Sequence, residues 1–142
     1  MTRSRITTLA LVAVAMFAAL MLVVGCGSSS TKTLESYFKS NQSEWNSAVQ
    51  QIKESGGDVL DVDMSVSGNK ISQIMTFKQT YSADQVNTIK ANLESQLDSL
   101  TTTVAQQIKA MEQETGITGI TWLFDYRNGD GKTILSTEVK GS

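Results

Sequence analysis

Asp61 and Asp63 stand two residues apart in an alternating segment, so both carboxylates project from one strand face, roughly 7 Å from each other. That separation suits an acid–base pair or calcium ligation. A second chemically able group is the thiol of Cys26, the single cysteine of the 142-residue chain. Asn128-Gly129-Asp130-Gly131 also clusters side-chain oxygens, but it lacks the spaced ligands and distal Glu of a calcium loop and reads as a hairpin turn. The chain has no histidine, the commonest general base near neutral pH and the commonest ligand of zinc, copper or iron. Its many Ser, Thr and Lys residues have no base set beside them that would activate a nucleophile. Strand alternation alone calls for polar residues at 61 and 63, so a solvated face is the simpler reading. No catalytic residue, metal or cofactor is expected.

Cys26 has a more telling setting. Arg3 and Arg5 precede nineteen uncharged residues from Ile6 to Val24, the order of an export signal. Val23-Val24-Gly25-Cys26 resembles the bacterial lipobox, and Gly27-Ser28-Ser29-Ser30 follows as a polar spacer. That resemblance implies diacylglyceryl transfer to the Cys26 sulfur, cleavage before Cys26, and acylation of the new amino terminus. Two or three chains, at about 0.8 kcal/mol per buried methylene, hold a protein at a bilayer, whereas one binds reversibly. An uncleaved membrane span over the same segment is the alternative. Both place the rest of the chain outside the cytoplasm. The expected organisation is a signal peptide at 1–25, lipidated Cys26 with a polar tether at 26–32, and one domain at 33–142.

Beyond the tether about 110 residues remain, enough for one modest core. Removing Arg3 and Arg5 leaves 10 basic against 14 acidic residues, a net charge near −4. Without a basic stripe to neutralise phosphates, no nucleic-acid partner is expected. Once Cys26 is lipidated no disulfide is available, so packing must supply the stability.

The elements that position these groups follow from periodicity. Leu34, Tyr37, Phe38, Trp45, Ala48, Val49 and Ile52 recur at helical steps. They predict a short helical turn over 33–40 and a helix over 42–55, with Asn41 and Glu44 as its capping box and Gly56-Gly57 as its end. Leu60, Val62, Met64 and Val66 then alternate with Asp61, Asp63, Ser65 and Ser67, a half-buried strand. A two-residue turn at Gly68-Asn69 sets Val66 opposite Ile71, Met64 opposite Gln73, Val62 opposite Met75 and Leu60 opposite Phe77.

Ser82-Ala83-Asp84-Gln85 caps a second helix whose apolar stripe runs from Val86 through Ile89, Leu93, Leu97, Leu100, Val104 and Ile108 to Met111. It is expected over 83 to about 114, with Gly116 closing it. Ile120, Trp122, Phe124 and Tyr126 alternate into a third strand, and Thr133–Lys140 returns as a fourth. A turn centred on Gly129-Asp130 pairs Ile120 with Val139, Phe124 with Leu135 and Asp125 with Ile134. Trp45 and Trp122 fall at core positions of their periods. The expected fold is α+β, helix-hairpin-helix-hairpin (αββαββ), a four-stranded antiparallel sheet with one face under the long helix.

The lipobox, tether, capped long helix and strand ending in Tyr126-Arg127-Asn128-Gly129-Asp130-Gly131 together resemble small lipoproteins of Gram-positive bacteria that end in a domain of unknown function. The helix-hairpin repetition is also similar to the two-repeat fold of the beta-lactamase inhibitor proteins, whose open sheet face grips an enzyme. That second likeness is one of topology, and no binding residue is carried over.

The function expected is therefore a non-enzymatic, lipid-anchored, extracytoplasmic domain that binds a protein or envelope component. Its contact surface is expected on the uncovered sheet face, where Ile74, Leu123 and Ile134 interrupt Asp61, Asp63, Thr76, Asp125 and Glu138. An inhibitor of an exported hydrolase is the alternative, and a hydrolase using Asp61 and Asp63 is the last reading.

Overall fold

A computed structural model describes residues 33–141. Cys26, the signal expected at 1–25 and the tether at 26–32 lie outside the described residues. The chain runs through α1 (Leu34–Ser40), α2 (Gln42–Ser55), β1 (Leu60–Ser67), β2 (Lys70–Phe77), α3 (Ala83–Thr115), β3 (Thr121–Arg127) and β4 (Thr133–Lys140). The order is ααββαββ, since the two helical pieces expected over 33–40 and 42–55 are both helices and the αββαββ order counted them as one. Asn41 separates them in an unexpected way. Its amide group donates to the Tyr37 carbonyl at 2.9 Å and so closes α1, and its side chain forms no capping bond to α2.

The sheet order is β1-β2-β3-β4, and it is mixed. The two hairpins are antiparallel, but β2 and β3 run parallel. This corrects the expectation of a wholly antiparallel sheet, and the cause is α3. With 33 residues it is about 50 Å long, so it carries the chain back along the sheet. A strand that follows such a return and lies beside β2 must start from the same end as β2. Gln85 begins α3 by accepting from the Ser82 amide at 3.0 Å, and Gly116 ends it in the left-handed region at φ 72°.

The β1–β2 register is the one expected, from Leu60 opposite Phe77 to Ser67 opposite Lys70. The β3–β4 register differs by two residues, with Trp122 opposite Val139 and Tyr126 opposite Leu135. The reason is a wider turn, closed by the Asn128 amide on the Lys132 carbonyl at 2.8 Å, with an irregularity at Tyr126–Arg127. An even shift leaves the side chains of Leu135–Lys140 on their expected faces, whereas Ile134, beside the irregularity, is buried with the apolar cluster.

One face carries Leu60, Val62, Ile71, Met75, Phe77, Trp122, Phe124, Tyr126 and Val139, all buried. They join Ile89, Leu93, Leu100, Val104, Ile108 and Met111 of α3 in one apolar cluster. Leu34, Tyr37, Phe38, Ala48 and Ile52 of the first two helices enter the same cluster beside β1. Each such side chain contributes about 1.5–3 kcal/mol by leaving water. Trp122 and Phe124 stack at 5.7 Å in its centre. Gln73 is a fully buried polar residue of this face, and its amide lies 3.7 Å from the Met75 sulfur.

Two asparagines tie the ends of the sheet. Asn69, in the β1–β2 turn, accepts from the Leu34 amide at 2.9 Å and donates to the Thr118 carbonyl at 3.0 Å. Asn128 accepts from the Tyr81 amide at 2.8 Å and donates to the Tyr81 carbonyl at 3.0 Å. Gly129 lets that second junction close, since a Cβ there would stand 2.7 Å from the Thr80 amide nitrogen.

Candidate docking face

The second face of the sheet has no helix against it among the described residues, since α1, α2 and α3 all bury their apolar residues in the cluster on the first. Alternation assigns to it Asp61, Asp63 and Ser65 from β1, and Lys70, Ser72, Ile74 and Thr76 from β2. Leu123, Asp125 and Arg127 come from β3, and Ser136, Glu138 and Lys140 from β4. Ile74 stands directly opposite Asp125, and Leu123 is the next residue of β3 on this side. The structure therefore brings Ile74, Leu123 and Asp125 together. Both apolar side chains are half-buried. Ile134 does not join them as an exposed contact, because it lies beside the β3–β4 irregularity and is buried with the apolar cluster.

Asp125 is the most unusual group on this face. It is buried to 6% exposure although it sits on the uncovered side of a central strand. Its Oδ2 accepts from Arg127 Nε at 2.9 Å and lies 2.7 Å from Arg127 Nη2, so both guanidinium contacts fall on one oxygen. Its Oδ1 is buried with no hydrogen-bond partner among the described residues. Leaving a buried acceptor unsatisfied costs about 1–3 kcal/mol, and more for a charged group. Periodicity pointed to Asp125 but not to Arg127. The i, i+2 spacing of the two on one strand face was the available signal.

Around this pair the ionic contacts are ordered by the strands. Lys70 of β2 reaches Glu138 of β4 at 3.1 Å, crossing β3. Asp61 lies 3.8 Å from Lys78, and Asp63 lies 3.7 Å from Lys53. The two β1 carboxylates are exposed and drawn to different lysines, the arrangement of a solvated edge. Among the described residues no group of His, Cys, Asp and Glu side chains could hold a metal ion.

The end of the sheet where residue 33 enters has its own electrostatics. The Glu35 carboxylate accepts from Lys39 Nζ at 2.9 Å and from the Gly68 amide at 2.8 Å. The Lys39 hydrogen bond first, then the Gly68 amide and the Lys39 charge, hold its pKa below the ordinary value. On the helix-covered face, burial pushes the Tyr126 phenol up to about 12. Among the described residues no helix is long and apolar enough to cross a membrane.

Fold and face together define a small α+β domain with one sealed side and one open side, bearing charged pairs around a short apolar strip. The chain belongs to the family described as domain of unknown function DUF4854, whose model matches residues 34–139. No curated protein matches the chain. No solved structure matches it either.

Proposed function

We propose that the chain is an extracytoplasmic lipoprotein, held to the membrane through Cys26, whose domain binds a protein or envelope component on the open sheet face. The observation that carries this reading is the sheet face that the helices leave uncovered, on which half-buried Ile74 and Leu123 stand beside the Asp125–Arg127 pair. Ile74 and Leu123 supply apolar contact, and Arg127, half-exposed beside Asp125, supplies a charged donor. The Lys70–Glu138 and Asp125–Arg127 pairs frame that strip with fixed charges, which favour orientation over raw affinity. Charge pattern, the missing histidine and the separate lysine partners of Asp61 and Asp63 support binding over hydrolysis.

Where the partner is itself an exported hydrolase, the same face makes the chain an inhibitor. Adding the full-length chain to envelope peptidases and beta-lactamases separates that case, and unchanged rates throughout remove it.

The test of the surface is crosslinking in intact cells with the Ile74→Ser, Leu123→Ser double variant of the full chain. The variant is expected to lose the crosslinked species of the wild type while keeping its circular dichroism spectrum. A variant that stays folded and crosslinks as before rejects this face as the contact.

A further inference from the structure

We propose that the outer edge of β4 and the flank of α3 beside it form a second binding site, which takes an extended peptide segment as a fifth strand of the sheet. β4 is last in the strand order, so every other amide and carbonyl along Thr133–Lys140 faces away from β3 and has no strand to meet among the described residues. Such an edge is a template for one more strand. What distinguishes β4 from the opposite edge is what lies beside it.

At β1 the outer edge is guarded. Both N-terminal helices pack beside β1, and Lys53 of α2 reaches Asp63, the charged blunting that keeps an edge strand from pairing. At β4 a groove of about 400 Å³ opens between the last residues of the strand and α3, which packs against it. Thr101, Thr102, Ala105 and Gln106 form its helix wall, and Glu138 to Lys140 form its strand wall. The Thr101 and Thr102 hydroxyls both donate to the Asp98 carbonyl, at 3.1 and 2.8 Å, so their protons are engaged within the helix. A strand edge facing a helix across a groove is the geometry in which added peptides are held by main-chain hydrogen bonds and selected by alternate side chains.

The lining sets the chemistry of the occupant. Ala105 and Val139 leave room for small or medium apolar side chains at alternate positions. Glu138 is engaged by Lys70, whereas Lys140 is exposed and has no ion pair among the described residues. The site therefore selects an extended segment with alternating apolar residues and a carboxylate, from a side chain or a chain terminus, near Lys140. It meets the open face at Glu138 and Lys140 and does not rest on the lipid anchor.

The test pans the full-length chain against a phage-displayed library of random linear heptapeptides, then synthesises the enriched sequences. Enriched peptides are expected to alternate apolar residues with an acidic group at one end, and to slow hydrogen exchange of Thr133–Lys140 amides. Ala105→Glu, which places bulk and charge on the helix wall, is expected to weaken binding at least tenfold. Lys140→Glu is expected to shift selection toward basic peptides, and Asp63→Asn, at the far edge of the sheet, to leave binding unchanged. Failure to enrich any peptide overturns the proposal, as does protection confined to other strands or binding indifferent to Ala105→Glu. A dimer that protects the β4 amides without peptide assigns the edge to a second copy and overturns it as well.

Discussion

The two faces of the sheet are built from the same four strands and are nearly opposite in chemistry. The helix-covered face holds Trp122 and Phe124 with no exposure and a stacked contact, and its polar residue, Gln73, lies against a sulfur. The open face keeps Ile74 and Leu123 half-buried, and its most buried member is a carboxylate with a vacant acceptor. Packing holds the first together, so substitutions there act on folding. On the second, a substitution can alter recognition while the fold stands.

The largest test of that contrast is Trp122→Ala, which removes the biggest side chain of the covered face. It is expected to cost about 3–5 kcal/mol in urea unfolding, enough to unfold much of a marginal domain. If it costs less than about 1 kcal/mol, the covered face is not the core. Next is an alkaline titration, in which Tyr126 is expected to dominate. Its folded pKa of about 12 exceeds the unfolded value of 10.0, so its contribution is intact below pH 10 and is lost as pH rises toward 12. The loss is about 3 kcal/mol, and Tyr126→Phe is expected to flatten that part of the stability profile.

On the open face, Asp125→Leu is expected to leave stability unchanged or raise it by about 1 kcal/mol, because it removes an unsatisfied buried oxygen and leaves Arg127 able to reach water. The same change is expected to abolish partner crosslinking. A strong destabilisation instead gives Asp125 a folding role and erases the contrast between the faces. The smallest effect concerns Glu35, where α1 meets the β1–β2 turn. Its pKa is lowered in the fold, so its stabilisation is full above pH 4.5 and fades as pH falls through the lowered value. Glu35→Gln is expected to speed hydrogen exchange of the Gly68 amide at neutral pH and to remove that acid-side slope, so that the two proteins converge at low pH.

Much of this asymmetry was legible in the sequence, for reasons that differ between hairpins. Gly68-Asn69 leaves two residues for the first turn, and Leu60 to Val66 lose their common face if the strands slip by one, so register and periodicity fix each other. The second turn runs through Asn128 and Lys132, where several loop lengths fit the same residues, and the pairing moved by two. Strand parity survived, so the aromatic face was still the covered one. The parallel pairing of β2 with β3 was concealed because hydropathy encodes faces and not neighbours, although the length of the intervening helix implied it. Burial of Asp125 was hidden as well. A polar residue on an open face reads as solvated until its position beneath Arg127 is known.

The Asn69 junction fixes where the chain enters, since it holds the first residue of α1 to the β1–β2 turn and to the approach of β3. The central claim, an anchored binding domain, is tested most directly by the mass of the amino-terminal peptide from the native membrane-fraction product. The account predicts a peptide that begins at Cys26 and carries diacylglyceryl on its sulfur. A peptide continuous through Gly25 with a free Cys26 thiol would contradict it.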